Sequence, residues 1–339
     1  MSENPTNNLS IAVLGGGSWA TALVKMFLEN TEDVHWYMRS QESIDYLLEH
    51  GHNPKYLSGV QFDVNRLDLT ADINRAVGQA DIVVMAIPSA FLQKELDQLT
   101  SSMEDKWVFS AIKGIVPQSG LIVGEHLHKE YGLPLDQIGV ITGPCHAEEV
   151  ALERLSFLTI ACTDQEKAAY LADQISSHYL KTKLSDDIVG TEYAAMLKNI
   201  YAIAAGMGHG LGYGDNYQSV LMSNAIREMK RFIALVHKMK RNINHTAYLG
   251  DLLVTGYSVF SRNRMFGNMI GKGYTVKSAM MEMNMVAEGY YAVESAFQLI
   301  KNKGKEPKKA FPIISSVYQV LYDHKNPKKV FKKLSDVLD

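Results

Sequence analysis

A chain of 339 residues that is 46% hydrophobic can bury a substantial core, and it has room for two domains, with three as the upper reading. A formal charge of −3 and a pI near 6.4 remove any general electrostatic reason to expect nucleic acid or an anionic membrane as partner. An anionic ligand therefore needs a local cluster of charge. The cysteines, Cys145 and Cys162, lie seventeen positions apart with no CxxC, which argues against a disulfide framework or a zinc knuckle and suits a reducing compartment.

The amino-terminal stretch Met1 to Ser10 is polar and lacks the basic and apolar regions of a secretory signal, so the expected location is cytoplasmic. From Leu9 to about Ser185 short apolar runs alternate with helix-like stretches. The runs are Ile11–Leu14, Val34–Met38, Asp81–Ala86, Trp107–Phe109 and Ile138–Ile141. This is the βαβ rhythm of a parallel sheet covered on both faces. Phe157–Ala161 and Tyr179–Leu184, flanking a charged helical stretch at Gln165–Ser176, extend the same pattern.

The first run ends in Leu14-Gly15-Gly16-Gly17-Ser18-Trp19-Ala20 and opens the helical stretch Thr21–Glu29, which is the strand-turn-helix context a G-x-G-x-x-G/A pattern requires. Gly15 permits the tight turn, Gly17 lets backbone amides approach a pyrophosphate, and Ala20 is small enough for close helix-to-strand packing. At the tip of the second run, Trp36-Tyr37-Met38-Arg39-Ser40 carries no acidic residue. Arg39 tilts the expected cofactor towards NADP(H), with NAD(H) also accepted.

Past about residue 188 the β-branched runs nearly vanish and helical patterns follow at Glu192–Met207, Tyr217–Lys238 and Thr275–Lys301. The expected fold is α/β: a Rossmann-type, mostly parallel sheet domain over 1–188, followed by an all-α domain over 189–339. The apolar stretch Ala194–Leu211 contains Lys198, Asn199 and His209, and Gly206, Gly208 and Gly210 alternate near its end. Together these favour a buried helix running into a flexible turn over a membrane span. The basic stretch Lys301–Lys309 has no interleaved aromatics and reads as a solvated loop.

Within Tyr193–Ile203 apolar residues occupy nearly every side of the helix, which encloses Lys198 unless its tip snorkels to solvent. An enclosed ammonium has a lowered pKa, and a second cation lowers it further, readying the group for proton exchange near neutral pH. Lys113, just beyond the strand-like run Trp107–Phe109, is the candidate second cation. Asp251 is either a partner for a lysine or a helix cap. Ser261-Arg262-Asn263-Arg264 reads as a phosphate cluster or as a surface salt-bridge cluster. His50, His52, His126 and His128 lack carboxylate or thiol companions and suggest no metal, and His146 and His209 read as packed or solvated histidines.

In order, Gly15–Ala22, Ile112-Lys113-Gly114, Gly143-Pro144-Cys145-His146-Ala147-Glu148-Glu149, Leu197-Lys198-Asn199, Gly250-Asp251-Leu252, Ser261–Gly267 and Val286-Ala287-Glu288-Gly289 resemble the soluble NAD(P)-dependent glycerol-3-phosphate dehydrogenases. The resemblance runs from about Ile11 to Tyr322. It implies reversible reduction of dihydroxyacetone phosphate to sn-glycerol 3-phosphate, feeding glycerophospholipid synthesis, with a homodimer left open. On that analogy Lys198 is the proton donor and acceptor, and Lys113 and Asp251 complete the catalytic set. Gly143, Cys145, Asn199, Ser261, Arg262 and Asn263, with Lys113, Lys198 and Asp251, meet the substrate. Gly15, Gly17, Ser18, Trp19, Arg39, Lys113, Ala147, Arg262, Val286 and Glu288 meet the cofactor.

Three departures from the family pattern stand out: Cys145 where serine or threonine is usual, Ala20 as the third member of the glycine motif, and the bulky Met196-Leu197 before the Lys-Asn pair. Two other readings compete. One is a two-domain keto-reductase for a different substrate, which the phosphate cluster disfavours. The other is a silent dinucleotide sensor, which requires Lys198, Lys113 and Asp251 all to be incidental.

Overall fold

The computed structural model describes residues 9–283 and 287–339; the expected cofactor contact Val286 and all but the last two residues of the polar stretch Met1 to Ser10 lie outside them. The chain divides into two compact units. One comprises residues 9–112 and 123–188, and the other comprises 113–122 and 189–339 without 284–286.

The first unit is built on eight strands: β1 (Ile11–Leu14), β2 (Val34–Tyr37), β3 (Leu67–Thr70), β4 (Ile82–Met85), β5 (Trp107–Ser110), β8 (Ile138–Thr142), β9 (Ser156–Cys162) and β10 (Leu180–Ser185). Their order across the sheet is β10-β9-β8-β5-β4-β1-β2-β3. Every neighbouring pair is parallel except β8 and β9, which run antiparallel with Ile141 opposite Ile160. The all-buried sequences IAVL of β1 and IVVM of β4 explain their central place, since strands covered on both faces read as continuous apolar runs. Three of the helices between the strands start on side-chain caps: Ser40 accepts from the Ser43 amide, Asp72 from Asn74, and Asp164 from Glu166 and Lys167. The Rossmann-type reading of this half stands.

The second unit is helical, as expected, with one addition. The strands β6 (Ile115–Val116) and β7 (Leu121–Ile122) form a small antiparallel hairpin whose Ile115 and Ile122 join the helical core. That hairpin and Lys113 therefore fold with the second unit, although they sit in sequence amid the strands of the first. The axis of the unit is the helix Ile188–Gly210, buried without interruption from Thr191 to Gly208. No helix among the described residues is long and apolar enough to cross a membrane.

The expected flexible turn at Gly206–Gly210 is corrected. Gly206 and Gly210 are helical, and a Cβ at either would collide with backbone of the helix Arg262–Gly271, at Arg264 and Asn268 respectively. Gly267 and Gly271 face back on Ile203 and Met207 in the same way. Glycines four apart on both partners thus let two backbones meet directly. The expected helix Thr275–Lys301 is also two described segments, Val276–Glu282 and Glu288–Asn302. The stretch Lys301–Lys309 is solvated apart from buried Pro307.

Candidate functional site

In the first unit the glycine turn is specified by contacts that only glycine allows. Gly15 has φ +136°, and a Cβ there would lie 2.6 Å from the Ala86 carbonyl oxygen. Its own carbonyl accepts from Trp36 Nε1 at 2.6 Å, and its amide donates to the Tyr37 carbonyl at 3.0 Å. Gly17 is the N-cap of the helix Ser18–Phe27. No side chain caps that helix, its first turn holds no acidic residue, and nothing lies within 4 Å of where a Gly17 Cβ would be. An uncapped helix N-terminus with open space before it is what a pyrophosphate requires, so these residues fit a dinucleotide.

Asn53, absent from the expected set, secures this turn. Its Nδ2 donates to the Gly16 carbonyl at 3.2 Å and to Thr21 Oγ1 at 3.0 Å, while its Oδ1 accepts from the Lys55 and Tyr56 amides. The signal was the turn-forming Asn-Pro pair, whose asparagine oxygen mimics a backbone acceptor. Ser18 is buried at the helix start beside half-buried Trp19. Arg39 follows β2 and is exposed.

Also in the first unit, Gly143 ends β8 with φ +127°, and a Cβ there would sit 2.9 Å from the Phe157 carbonyl oxygen. Cys145 is buried two residues on, and Ala147 begins the short helix Ala147–Ala151.

The second unit gathers the charged residues. Lys198, in mid-helix, is 3% exposed, and its Nζ donates to Oδ1 of Asp251, itself 1% exposed. The snorkelling alternative for Lys198 therefore falls. So does the capping alternative for Asp251: the cap of the helix Asp251–Tyr257 is Gly250, and the Asp251 side chain turns to the lysine. A π-helical turn, Thr246–Gly250, immediately precedes Asp251, and the hydroxyl of Thr255 bonds the Asp251 carbonyl at 2.7 Å.

Burial pushes the Lys198 ammonium down to about 8; Asp251 pulls the other way, and the neighbouring Lys113 adds to the depression. Glu288 feels Arg262, Lys113 and Lys198 together, and burial nevertheless holds its carboxyl above the ordinary range. These mutual influences put Lys113, Lys198, Arg262 and Glu288 in one cluster. Asp251 Oδ2 and Asn199 Nδ2 are buried without a hydrogen-bond partner, so the cluster retains an acceptor and a donor to offer a ligand.

The segment Ser261-Arg262-Asn263-Arg264 is partly committed to the fold. Ser261 caps the helix Arg262–Gly271 by accepting from the Arg264 amide at 3.3 Å. Asn263 Oδ1 accepts from the Gly289 amide at 2.9 Å, which leaves the Asn263 NH₂ as its remaining donor. Gly289 is a further residue without an assigned role in the sequence reading: a Cβ there would lie 2.7 Å from the Asn199 carbonyl and 2.8 Å from Asn263 Oδ1. Lys198-Asn199, Ser261-Arg262-Asn263 and Glu288-Gly289 are thereby locked into one arrangement.

Comparison with known proteins supplies independent bearings. Residues 10–168 match the family model for the NAD-dependent glycerol-3-phosphate dehydrogenase N-terminus, and residues 187–332 match that for its C-terminus. The chain is 35% identical over 326 residues to glycerol-3-phosphate dehydrogenase [NAD(P)+] of Oceanobacillus iheyensis, covering 96% of this chain and 93% of that protein. It is 36% identical over 329 residues to the protein of the same description from Exiguobacterium sp., covering 96% and 94%. Among solved structures, a glycerol-3-phosphate dehydrogenase from Coxiella burnetii superposes with a TM-score of 0.88 at 25% identity, over 97% of this chain and 99% of that one.

Proposed function

Because the chain belongs to the NAD-dependent glycerol-3-phosphate dehydrogenase family and is an oxidoreductase that uses a nicotinamide cofactor to interconvert dihydroxyacetone phosphate and sn-glycerol 3-phosphate, we propose that Lys198 moves the proton of that reaction. The observation that carries this is the buried Lys198–Asp251 pair with Lys113 beside it. A ketone gains negative charge on oxygen as hydride reaches its carbon. A positioned acid and nearby cations stabilise that charge more than they stabilise the ground state.

In the reductive direction a Lys198 N–H faces the carbonyl oxygen and delivers its proton as the C–H bond forms. In the oxidative direction the neutral amine accepts the hydroxyl proton. Asp251, bonded to another N–H, fixes the direction in which Lys198 points. Lys113 keeps the lysine acidic and adds positive potential at the developing oxyanion. The nicotinamide, when bound, supplies or accepts the hydride itself.

Arg262 and the Asn263 NH₂ are assigned to the substrate phosphate, with Ser261, Asn199, Gly143 and the Cys145 backbone as further substrate contacts. Cys145 offers a weaker donor than a hydroxyl. Gly15, Gly17, Ser18 and Trp19 are assigned to the pyrophosphate turn, with Arg39, Lys113, Ala147, Arg262, Val286 and Glu288 as further cofactor contacts. The first unit is the cofactor-binding domain; the second, including Lys113–Ile122, is the substrate domain. NADP(H) is the preferred cofactor on the strength of Arg39, with NAD(H) accepted. We place the enzyme in the cytoplasm, supplying glycerol phosphate for phospholipid synthesis.

The deciding experiment measures oxidation of NADH and NADPH side by side with dihydroxyacetone phosphate, and repeats it with unphosphorylated dihydroxyacetone. Turnover confined to the phosphorylated ketone is the expected result. Equal rates for both ketones would remove the role of Arg262 and Asn263.

A further inference from the structure

At the end of β2, where sequence showed an arginine and no acidic residue, the fold brings in a carboxylate from a distant position. Glu95, in the helix Ser89–Leu96 that follows β4, is 2% exposed. Its Oε2 accepts from the Tyr37 hydroxyl at 2.5 Å, and its Oε1 lies 3.6 Å from Nη1 of Arg39. The two side chains of the ion pair are unequal: that of Arg39 is 69% exposed, while that of Glu95 is 3% exposed. The other acidic group acting on Tyr37, Asp72, is exposed and engaged in capping the helix Ile73–Gln79.

We propose that Glu95 is a specificity-determining residue of this dehydrogenase: a buried anion behind Arg39 that restrains its preference for NADPH over NADH. The proposal rests on assigning Arg39 to the cofactor's 2′-phosphate. In dinucleotide sites an acidic side chain at the tip of the second strand favours the ribose hydroxyls, and an arginine favours the 2′-phosphate. This chain combines the two, with the arginine on the strand tip and the acid behind it. Glu95 is too enclosed to hydrogen-bond a cofactor, so it acts through charge. One carboxylate at 3.6 Å cancels much of the field that Arg39 presents to a dianionic phosphate, while an uncharged ribose hydroxyl is almost indifferent to the loss.

The alternative is that Glu95 merely anchors Arg39, and it predicts the opposite sign. The contact is a single Nη1 approach at 3.6 Å, not a two-pronged fork, and it leaves the guanidinium largely in water. Such a pair orients the arginine weakly, so charge cancellation governs. Tyr37, whose hydroxyl burial and Glu95 hold firmly protonated, secures the carboxylate against the sheet.

The test is the variant Glu95→Gln, which retains an oxygen for the Tyr37 hydroxyl, with NADPH and NADH dissociation constants measured by fluorescence titration and kcat/KM with dihydroxyacetone phosphate. NADPH binding is expected to tighten roughly tenfold while NADH binding stays within about twofold, and added salt should weaken NADPH binding more steeply than in the parent. Glu95→Asp, which keeps the charge, should keep the parental NADPH/NADH ratio. A ratio unchanged in Glu95→Gln, a weakened NADPH binding, or a parallel change for both cofactors would each overturn the proposal. Arg39→Ala is the separate control: if it leaves the ratio untouched, the assignment of Arg39 itself is at fault.

Discussion

Gly206 and Arg264 meet backbone to backbone: a Cβ on the glycine would collide with the arginine's carbonyl oxygen. That contact joins the helix carrying Lys198 to the helix that starts at Arg262, so the distance between the proposed proton-transfer residue and the proposed phosphate contacts is set by the absence of a single methyl group. Gly206→Ala must push the two backbones apart. Overpacking of this kind costs typically about 1–3 kcal/mol, and a shift near 1 Å at a reacting centre can cost about 100-fold in rate. The expected outcome is a lowered midpoint in urea together with a fall in kcat/KM larger than the stability loss explains. A variant with parental kinetics would separate the interface from the chemistry.

The lowered pKa of Lys198 gives the two directions of reaction opposite pH profiles. In the proposed mechanism the group, protonated below about 8, is the acid for ketone reduction, and the neutral amine above it is the base for alcohol oxidation. Reductive kcat/KM is therefore expected to decline as pH rises through this region, and oxidative kcat/KM to climb. Lys198→Ala removes the donor and should lower turnover by roughly 100- to 10,000-fold with cofactor binding intact. Matching slopes for the two directions would remove Lys198 from the proton path.

Arg262 is expected to matter for affinity towards the phosphate handle. Charge-assisted hydrogen bonds contribute about 1.5–3 kcal/mol, so Arg262→Ala should raise KM for dihydroxyacetone phosphate roughly 10- to 150-fold. With cofactor saturating, any weak rate with unphosphorylated dihydroxyacetone should fall far less, because only the cofactor contact of Arg262 is then at stake. Steady-state kinetics on the two ketones checks this directly. An equal loss on both would point to a disturbed helix start at Ser261 in place of a lost phosphate contact.

What could be read from sequence followed from local rules, and what could not depended on distant parts of the chain meeting. The glycine turn and β1, β4 and β8 are legible because a glycine pattern and buried parallel strands write themselves in consecutive residues. β3, with the sequence LDLT, is too polar to announce itself, and only pairing with β2 makes it a strand. In sequence the glycines at 206 and 210 suggest a loosening of the chain, because one helix alone does not reveal its partner; Gly267 and Gly271 give them their meaning. Likewise the enclosure of Lys198 was visible in its apolar neighbours, but the choice between burial and snorkelling needed Asp251, which lies 53 positions away. Glu95 gave no signal, since a glutamate in a short amphipathic helix ordinarily faces water.

A last prediction concerns stability, at a carboxylate the reaction does not use. Glu228 is fully buried in the helical core and caps the helix Pro312–Leu321, accepting from the Ile313 and Ile314 amides at 3.0 and 2.9 Å. Burial pushes its pKa up from 4.5 to about 7, with the two amides and Arg231 opposing the rise. The folded chain therefore holds this proton where the unfolded chain has released it, so ν for the native state exceeds that for the unfolded state between pH 4.5 and about 7. Stability from this group is present below pH 4.5 and is lost as pH rises to about 7, a change of about 3 kcal/mol. Glu228→Gln cannot ionise and escapes that loss, at the cost of one amide partner, about 1 kcal/mol. In urea titrations from pH 4.5 to 8 the stability of Glu228→Gln relative to the parent should rise with pH and level off beyond about 7. A difference that stays constant across that range would mean that Glu228 does not exchange its proton within the window.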